Sequence, residues 1–186
     1  MKSKVFLFLA TMLLLSCGKS EPKLIDDNGK NFYINGVSVA EGKDAIVKSL
    51  KSIGFKEEAT EDISILGEAN YSTFLSADKL TEEQYTRLTG GIFCNLPTGI
   101  NYYEKVSRPY VRLEWFTGGM VTMALVSVGE NATMNDKDAL EVNKRLENLF
   151  PHSKITNTRF GCRTYYNDNG VGIYYGGGLA LQLTKK

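Results

Sequence analysis

The chain holds few side chains suited to covalent or acid–base chemistry, and their spacing sets narrow limits. Its single histidine, His152, follows Pro151 at the end of a helical stretch. As a general base, an imidazole needs a nucleophile within reach and an acid to orient it. No Gly-x-Ser-x-Gly elbow supplies the first. Cys94 with His152 is the one arithmetic pairing for thiol catalysis, and a solvated loop histidine accounts for His152 without it. One histidine and two distant cysteines, Cys94 and Cys162, give no close ligand pair for zinc. Asp26-Asp27-Asn28-Gly29 and Asn167-Asp168-Asn169-Gly170 crowd oxygen side chains beside a glycine, as calcium loops do. Both lack the alternating acids and distal glutamate of such a loop, so both read as turns. Gly118-Gly119 and Gly176-Gly177-Gly178 lack the spacing of phosphate loops and open no helix. The expectation is no enzyme, no metal and no cofactor.

What remains is aromatic. Tyr102-Tyr103, Tyr110, Trp115, Tyr165-Tyr166 and Tyr174-Tyr175 concentrate amphipathic rings in the late chain. An adjacent pair on a strand puts one ring on each face, so half can be core and half can offer contact area to a protein or a sugar. Tyr165, Tyr166, Tyr174 and Tyr175 form the candidate binding surface, weighed against plain β-propensity, which also favours tyrosine.

The N-terminus carries the sharpest signal. Lys2 and Lys4 precede an apolar run from Val5 to Leu15, closed by Ser16 and Cys17. The run is short of the roughly 20 apolar residues that cross a bilayer. A basic start, a short apolar core and a small residue before a cysteine describe an export signal. With Leu14, Ser16 and Cys17 matching a lipobox, the segment resembles a bacterial lipoprotein signal. The resemblance implies cleavage after residue 16 and lipid (thioether-linked diacylglycerol and palmitate) on Cys17, which anchors the protein to a membrane. Gly18 is not the aspartate that retains many such proteins on the inner membrane, so the expected location is the outer membrane, facing the periplasm. Cys94 and Cys162 then form an even pair in an oxidising compartment, as a disulfide or as two separate buried thiols.

Loss of Lys2 and Lys4 takes the 22 basic residues below the 21 acidic ones. A mature charge of about −1 gives nucleic acid no electrostatic reason to bind. Residues 1–16 are read as signal peptide, 17–30 as a polar tether with Pro22, and 31–186 as one domain.

Within that domain, Asn35-Gly36 between Phe32-Tyr33-Ile34 and Val37-Ser38-Val39 marks a tight hairpin. Ile46, Val47, Leu50 and Ile53 keep helical spacing up to Gly54-Phe55. Ile63–Leu66 and Tyr71–Leu75 read as a strand pair. Thr81-Glu82-Glu83-Gln84 is a capping-box pattern for a short helix ended by Gly90-Gly91. Ile92–Leu96 reads as a short strand. Tyr110–Phe116 alternates, turns at Thr117-Gly118-Gly119 and returns through Met120–Val128 as a central strand. Asn135–Phe150 is the longest helix, with Ala139, Val142, Leu146, Leu149 and Phe150 as its core stripe and Asp136 and Asp138 favouring its positive end. Lys154–Tyr166 and Val171–Leu183 flank Asn167–Gly170 as a final hairpin, the glycine run marking a bulge or bend. The predicted fold is α+β, an antiparallel sheet with two to three helices packed on one face.

The stretch Phe32–Val37 followed by Ala45–Phe55 resembles small exported proteins of Bacteroidetes-type bacteria. The helix-then-hairpin plan is similar to β-lactamase-inhibitory-protein-like modules and to the small lipoprotein of the outer-membrane assembly machine. These resemblances imply a binding or assembly role with an envelope protein partner. Accessory binding of a small ligand or glycan through exposed tyrosines is the alternative.

Overall fold

A computed structural model describes residues 23–64, 70–129, 134–150, 156–157, 163–175 and 179–185. Cys17, His152, Cys162 and the Gly176–Gly178 run lie outside them.

Two short strands, β1 (Tyr33–Ile34) and β2 (Val37–Ser38), pair across Asn35 and Gly36, whose φ angles of 49° and 78° suit the primed hairpin turn their types predict. Helix α1 (Lys43–Ser52) buries Ile46, Val47 and Leu50. It ends where the Phe55 N–H returns to Leu50 O, with Phe55 folded inward. Then comes β3 (Lys56–Asp62), where the sequence predicted none. Lys56-Glu57-Glu58-Ala59-Thr60-Glu61-Asp62 has no apolar alternation because all seven side chains are exposed. The first arm of the pair therefore precedes the predicted Ile63–Leu66, of which Ile65 and Leu66 lie outside the described residues, while the second arm, Tyr71–Leu75, is where it was expected. Its partner β4 (Asn70–Ser76) leads to α2 (Glu82–Thr89). There the capping box is present: Gln84 N donates to Thr81 Oγ1 at 3.2 Å and Thr81 N to Gln84 Oε1 at 2.9 Å.

Ile92 to Leu96 is not a strand but an irregular turn with Ile92, Phe93 and Leu96 buried. Its apolar residues fill the core while its carbonyls turn to a side chain, described below, rather than to a neighbouring strand. Strands β5 (Tyr110–Phe116) and β6 (Val121–Ser127) form the predicted meander, and α3 spans Asp136–Leu149. In α3 the stripe differs from expectation. Leu149 is 43% exposed and Asp138 is fully buried.

The last segment folds into β7 (Thr156–Asn157), β8 (Arg163–Tyr166), β9 (Val171–Tyr175) and β10 (Ala180–Lys185). Strands β9 and β10 pair antiparallel, so the chain reverses between them where a bend within one strand was expected. Strand β10 also pairs with β6, which joins both halves into one antiparallel sheet of order β3-β4-β5-β6-β10-β9-β8-β7. The fold is therefore α+β, with its helices on one face.

Cross-strand register lays out that face. Leu75, Val111, Val126 and Leu181 form one row, and Thr73, Leu113, Ala124 and Leu183 the next; all eight are buried. The second row runs on to Tyr165, which is fully buried, stacks on Phe150 of α3 at 6.2 Å, and donates its hydroxyl to Asn143 Oδ1 at 3.3 Å. Core packing also reaches into the segment assigned to the tether. Leu24 is buried, its carbonyl accepts Tyr33 N at 2.8 Å, and Ile25 bridges to Phe32.

Gly90 explains how that strap fits. It caps α2 in the left-handed region at φ 58°, and a Cβ there would overlap Leu24 Cγ. Gly90→Ala is expected to cost about 2 kcal/mol, combining left-handed strain with a clash. Urea denaturation checks this, and a loss below about 0.5 kcal/mol would show that Leu24 is not held there.

Candidate functional site

The opposite face of the sheet carries a candidate site. Phe74, Arg112, Leu125 and Gln182 make a continuous row across β4, β5, β6 and β10, each half-buried. Arg112 is fixed on three sides. Its Nη2 lies 2.8 Å from Glu114 Oε1, its Nε donates to Ser72 Oγ at 2.9 Å, and its Cζ sits 5.4 Å from the Phe74 ring centroid. A guanidinium with its rotamer held this way loses little entropy on meeting a partner. Around this row lies a shallow groove of about 550 Å³, bordered by Glu58, Glu61, Ser76, Arg108 and Tyr110. The rim is charged, with Arg108 Nη2 3.9 Å from Glu58 Oε1, an oxygen that also accepts from Ser76 Oγ. Chemically the groove offers rings, a planar cation and both signs of charge, the composition of a recognition surface.

Of the predicted tyrosine surface, Tyr165 is core, so it is withdrawn as a contact residue. Its burial follows from register, because its strand position falls in the row of Leu183 and Ala124. Positions 166 and 174 fall by register in the rows of the open face, and position 175 in a core row. Residue 174 pairs with Gln182, which continues the Phe74–Arg112–Leu125 row.

Trp115 is a structural residue at the helix-side face. It stacks on Tyr71 at 4.6 Å, lies under Lys43 Nζ at 4.8 Å, and donates Nε1 to Thr73 Oγ1 at 2.9 Å.

The two Asx-rich turns come together. Asn167 Nδ2 donates to Gly29 O at 2.7 Å and Asn169 Nδ2 to Asn28 O at 2.9 Å. Asp26 is occupied by the N–H groups of Lys30 and Asn31 at 2.6 and 3.1 Å. Burial pushes the Asp26 carboxyl up, and these donors outweigh it, so it ends below its ordinary range. The arrangement clips the N-terminal strap to the last hairpin with its amides donating and its acid engaged. Among the described residues, no group of three or more His, Cys, Asp or Glu side chains is placed to hold a metal ion.

Cys94 carries a free thiol, half-buried, 3.2 Å from Thr86 Oγ1, and burial pushes its pKa up. Its predicted partner Cys162 lies outside the described residues.

Two polar centres escaped the sequence reading. Asp138 accepts hydrogen bonds from Thr98 N, Thr98 Oγ1, Tyr102 OH and Asn135 Nδ2 at 3.1, 2.5, 2.7 and 2.8 Å. Burial raises the Tyr102 hydroxyl pKa, and its bond to Asp138 adds to this. Arg145 donates to the carbonyls of Gly91, Ile92, Cys94 and Asn95. Each gathers donors or acceptors from a distant loop, so neither leaves a local pattern. Both centres hold loop to helix.

Fold and groove define an α+β domain that presents a rigid, mixed-charge sheet face. Compared with known proteins, the chain matches no family model, no curated protein and no solved structure.

Proposed function

We propose that this is a non-enzymatic bacterial envelope lipoprotein, anchored to the outer membrane through Cys17, that binds a protein partner on its open sheet face. The supporting observation is the groove itself. Its central guanidinium, Arg112, is half-exposed yet fixed by Ser72 and Glu114, and it lies over the half-exposed ring of Phe74. Aromatic and arginine anchors of this kind carry a disproportionate share of binding energy at protein interfaces. The lipobox and short apolar run support the anchor.

The anchor is tested with radiolabelled palmitate. Wild type should incorporate label and Cys17→Ala should not; equal labelling of both would refute it. The partner site is tested by copurification from solubilised envelope. A Phe74→Ser/Tyr110→Ser variant should lose the partner that wild type retains, while its melting temperature stays within a few degrees. Identical recovery by both proteins would remove the groove. A second reading, a glycan or small ligand held by tyrosines, draws on the register that continues the groove's row to residue 174. Binding of a soluble oligosaccharide, lost in Tyr174→Ser, would favour it.

A further inference from the structure

Strand β3 is the outermost strand of the sheet, and its backbone polarity can be assigned. Ile63 N donates to Asn70 O at 2.9 Å. In an antiparallel pair the inward-pointing groups alternate along the strand, so Glu61 bonds its partner Ser72, and Thr60 and Asp62 point their N–H and C=O outward. Among the described residues nothing pairs with that outer side. The strand is seven residues long and buries no side chain. Ordering each backbone unit costs about 1–2 kcal/mol, and here it is offset by ladder bonds on one side and no apolar burial. A surface strand of this length is a template for a further strand.

Charge decides which strand. Glu57, Glu58, Glu61 and Asp62 outnumber Lys56 along the edge. Glu57 is neutralised by Lys51 at 2.7 Å and held below its ordinary pKa by it, while Glu58 and Glu61 border the groove. Two copies of this edge would set acid against acid, which disfavours self-pairing. An added strand with Lys or Arg at alternate positions would instead meet opposite charges, with the groove of Phe74 and Tyr110 beside it. We infer that β3 is a strand-addition site for an extended basic segment of a protein partner, an inference that rests on the partner-binding reading above and specifies its mode.

The probe is a fluorescein-labelled heptapeptide, Lys-Thr-Lys-Val-Arg-Thr-Lys, blocked at both ends, with an acidic twin in which Glu replaces each Lys and Arg. Titrated with the full-length detergent-solubilised protein, the basic peptide should bind saturably and the acidic twin should not. Affinity should fall about tenfold or more between roughly 0.05 and 0.5 M salt. Glu61→Lys should weaken it by about tenfold or more. Thr60→Pro removes one outward N–H, leaves the backbone bonds to β4 in place at the cost of the Thr60 Oγ1–Thr73 Oγ1 contact, and should weaken binding similarly. In wild type, the peptide should slow hydrogen exchange at the Thr60 and Asp62 amides and leave Glu61, already bonded inward, unchanged. That measurement needs no variant. Absence of binding, or binding with no protection of Thr60 and Asp62, would overturn the inference. Loss of binding in Tyr110→Ser alone would overturn it too, while leaving the groove reading intact. Self-association through β3, abolished by Thr60→Pro, would make a second copy the occupant instead.

Discussion

Arg145→Met is expected to destabilise the protein by about 3 kcal/mol, because one side chain holds an entire irregular turn. Its Nη1 reaches Gly91 O and Ile92 O at 3.2 Å and Cys94 O at 2.5 Å, and its Nη2 reaches Asn95 O at 3.1 Å. Glu141, one helical turn earlier in α3, fixes the guanidinium through Nε at 3.2 Å. Methionine keeps much of the stem volume and removes every donor. The part-buried carbonyls of Ile92 and Cys94 would then lose this partner, while Gly91 O keeps the Cys94 N–H. Hydrogen bonds to a charged group contribute about 1.5–3 kcal/mol each, but they share one side chain here and do not add. Equilibrium denaturation should show the loss, and the melting point should fall by roughly 6–12 °C for a domain of this size. Lysine should recover less than half of it, since an ammonium lacks the planar fork that spans several carbonyls. The damage should be local at first: alkylation mapped by mass spectrometry should find Cys94, whose carbonyl Arg145 holds, reacting faster than in wild type. A loss below about 1 kcal/mol would show that water replaces the guanidinium without penalty.

That turn also shows where sequence reading stops. The Asn35-Gly36 hairpin, the Thr81–Gln84 box and the Gly54-Phe55 helix stop were legible because each is closed by residues a few positions apart. The β5–β6 meander was legible for the same reason, through alternation of Val111 and Leu113 against Arg112 and Glu114. Ile92–Leu96 was misread because burial and strand pairing leave the same apolar trace; only Arg145, far along the chain, distinguishes them. Strand β3 was missed for the opposite reason, since a fully exposed strand has no hydrophobic period to find. The candidate groove lay between these cases. Phe74, Arg112 and Leu125 sit on strands the sequence located, but their meeting depends on the β4–β5–β6 register. The same register sends Tyr165 inward, so a tyrosine count could not say which rings were free.

Asp138→Ala is expected to have the largest effect, about 3–5 kcal/mol, because several donors lose an ionised acceptor at once and each such bond contributes about 1.5–3 kcal/mol without adding in full. Sequence position suggested only a partner for the helix dipole; the structure makes Asp138 the fully buried hub of a loop-to-helix junction. Asn135, the N-cap of α3, accepts Asp138 N on its Oδ1 at 3.0 Å and returns its Nδ2 to the carboxylate. Thr98 and Tyr102 bring the segment before β5 onto the same two oxygens. Burial pushes the Asp138 carboxyl up, and these donors together outweigh it, so its pKa lies below the ordinary value of 3.8. A carboxylate whose folded pKa is depressed stabilises the native state above the unfolded pKa and loses that contribution as pH falls through the folded one. Wild type should therefore weaken as pH drops below about 4. Asp138→Asn separates shape from charge. Its amide nearly matches the carboxylate in size but presents one acceptor and a donor to four incoming donors, so it should remain destabilised by about 2–4 kcal/mol at neutral pH. Its stability should also fall less steeply in acid, leaving a slope from groups such as Asp26, which is depressed in the same direction. Two results would refute the role: a neutral-pH loss under about 1 kcal/mol, or an acid limb parallel to that of wild type. Because Thr98, Tyr102 and Asn135 donate to the ionised form, the junction needs the charge and not only the volume of this side chain, and that requirement is what the acid limb measures.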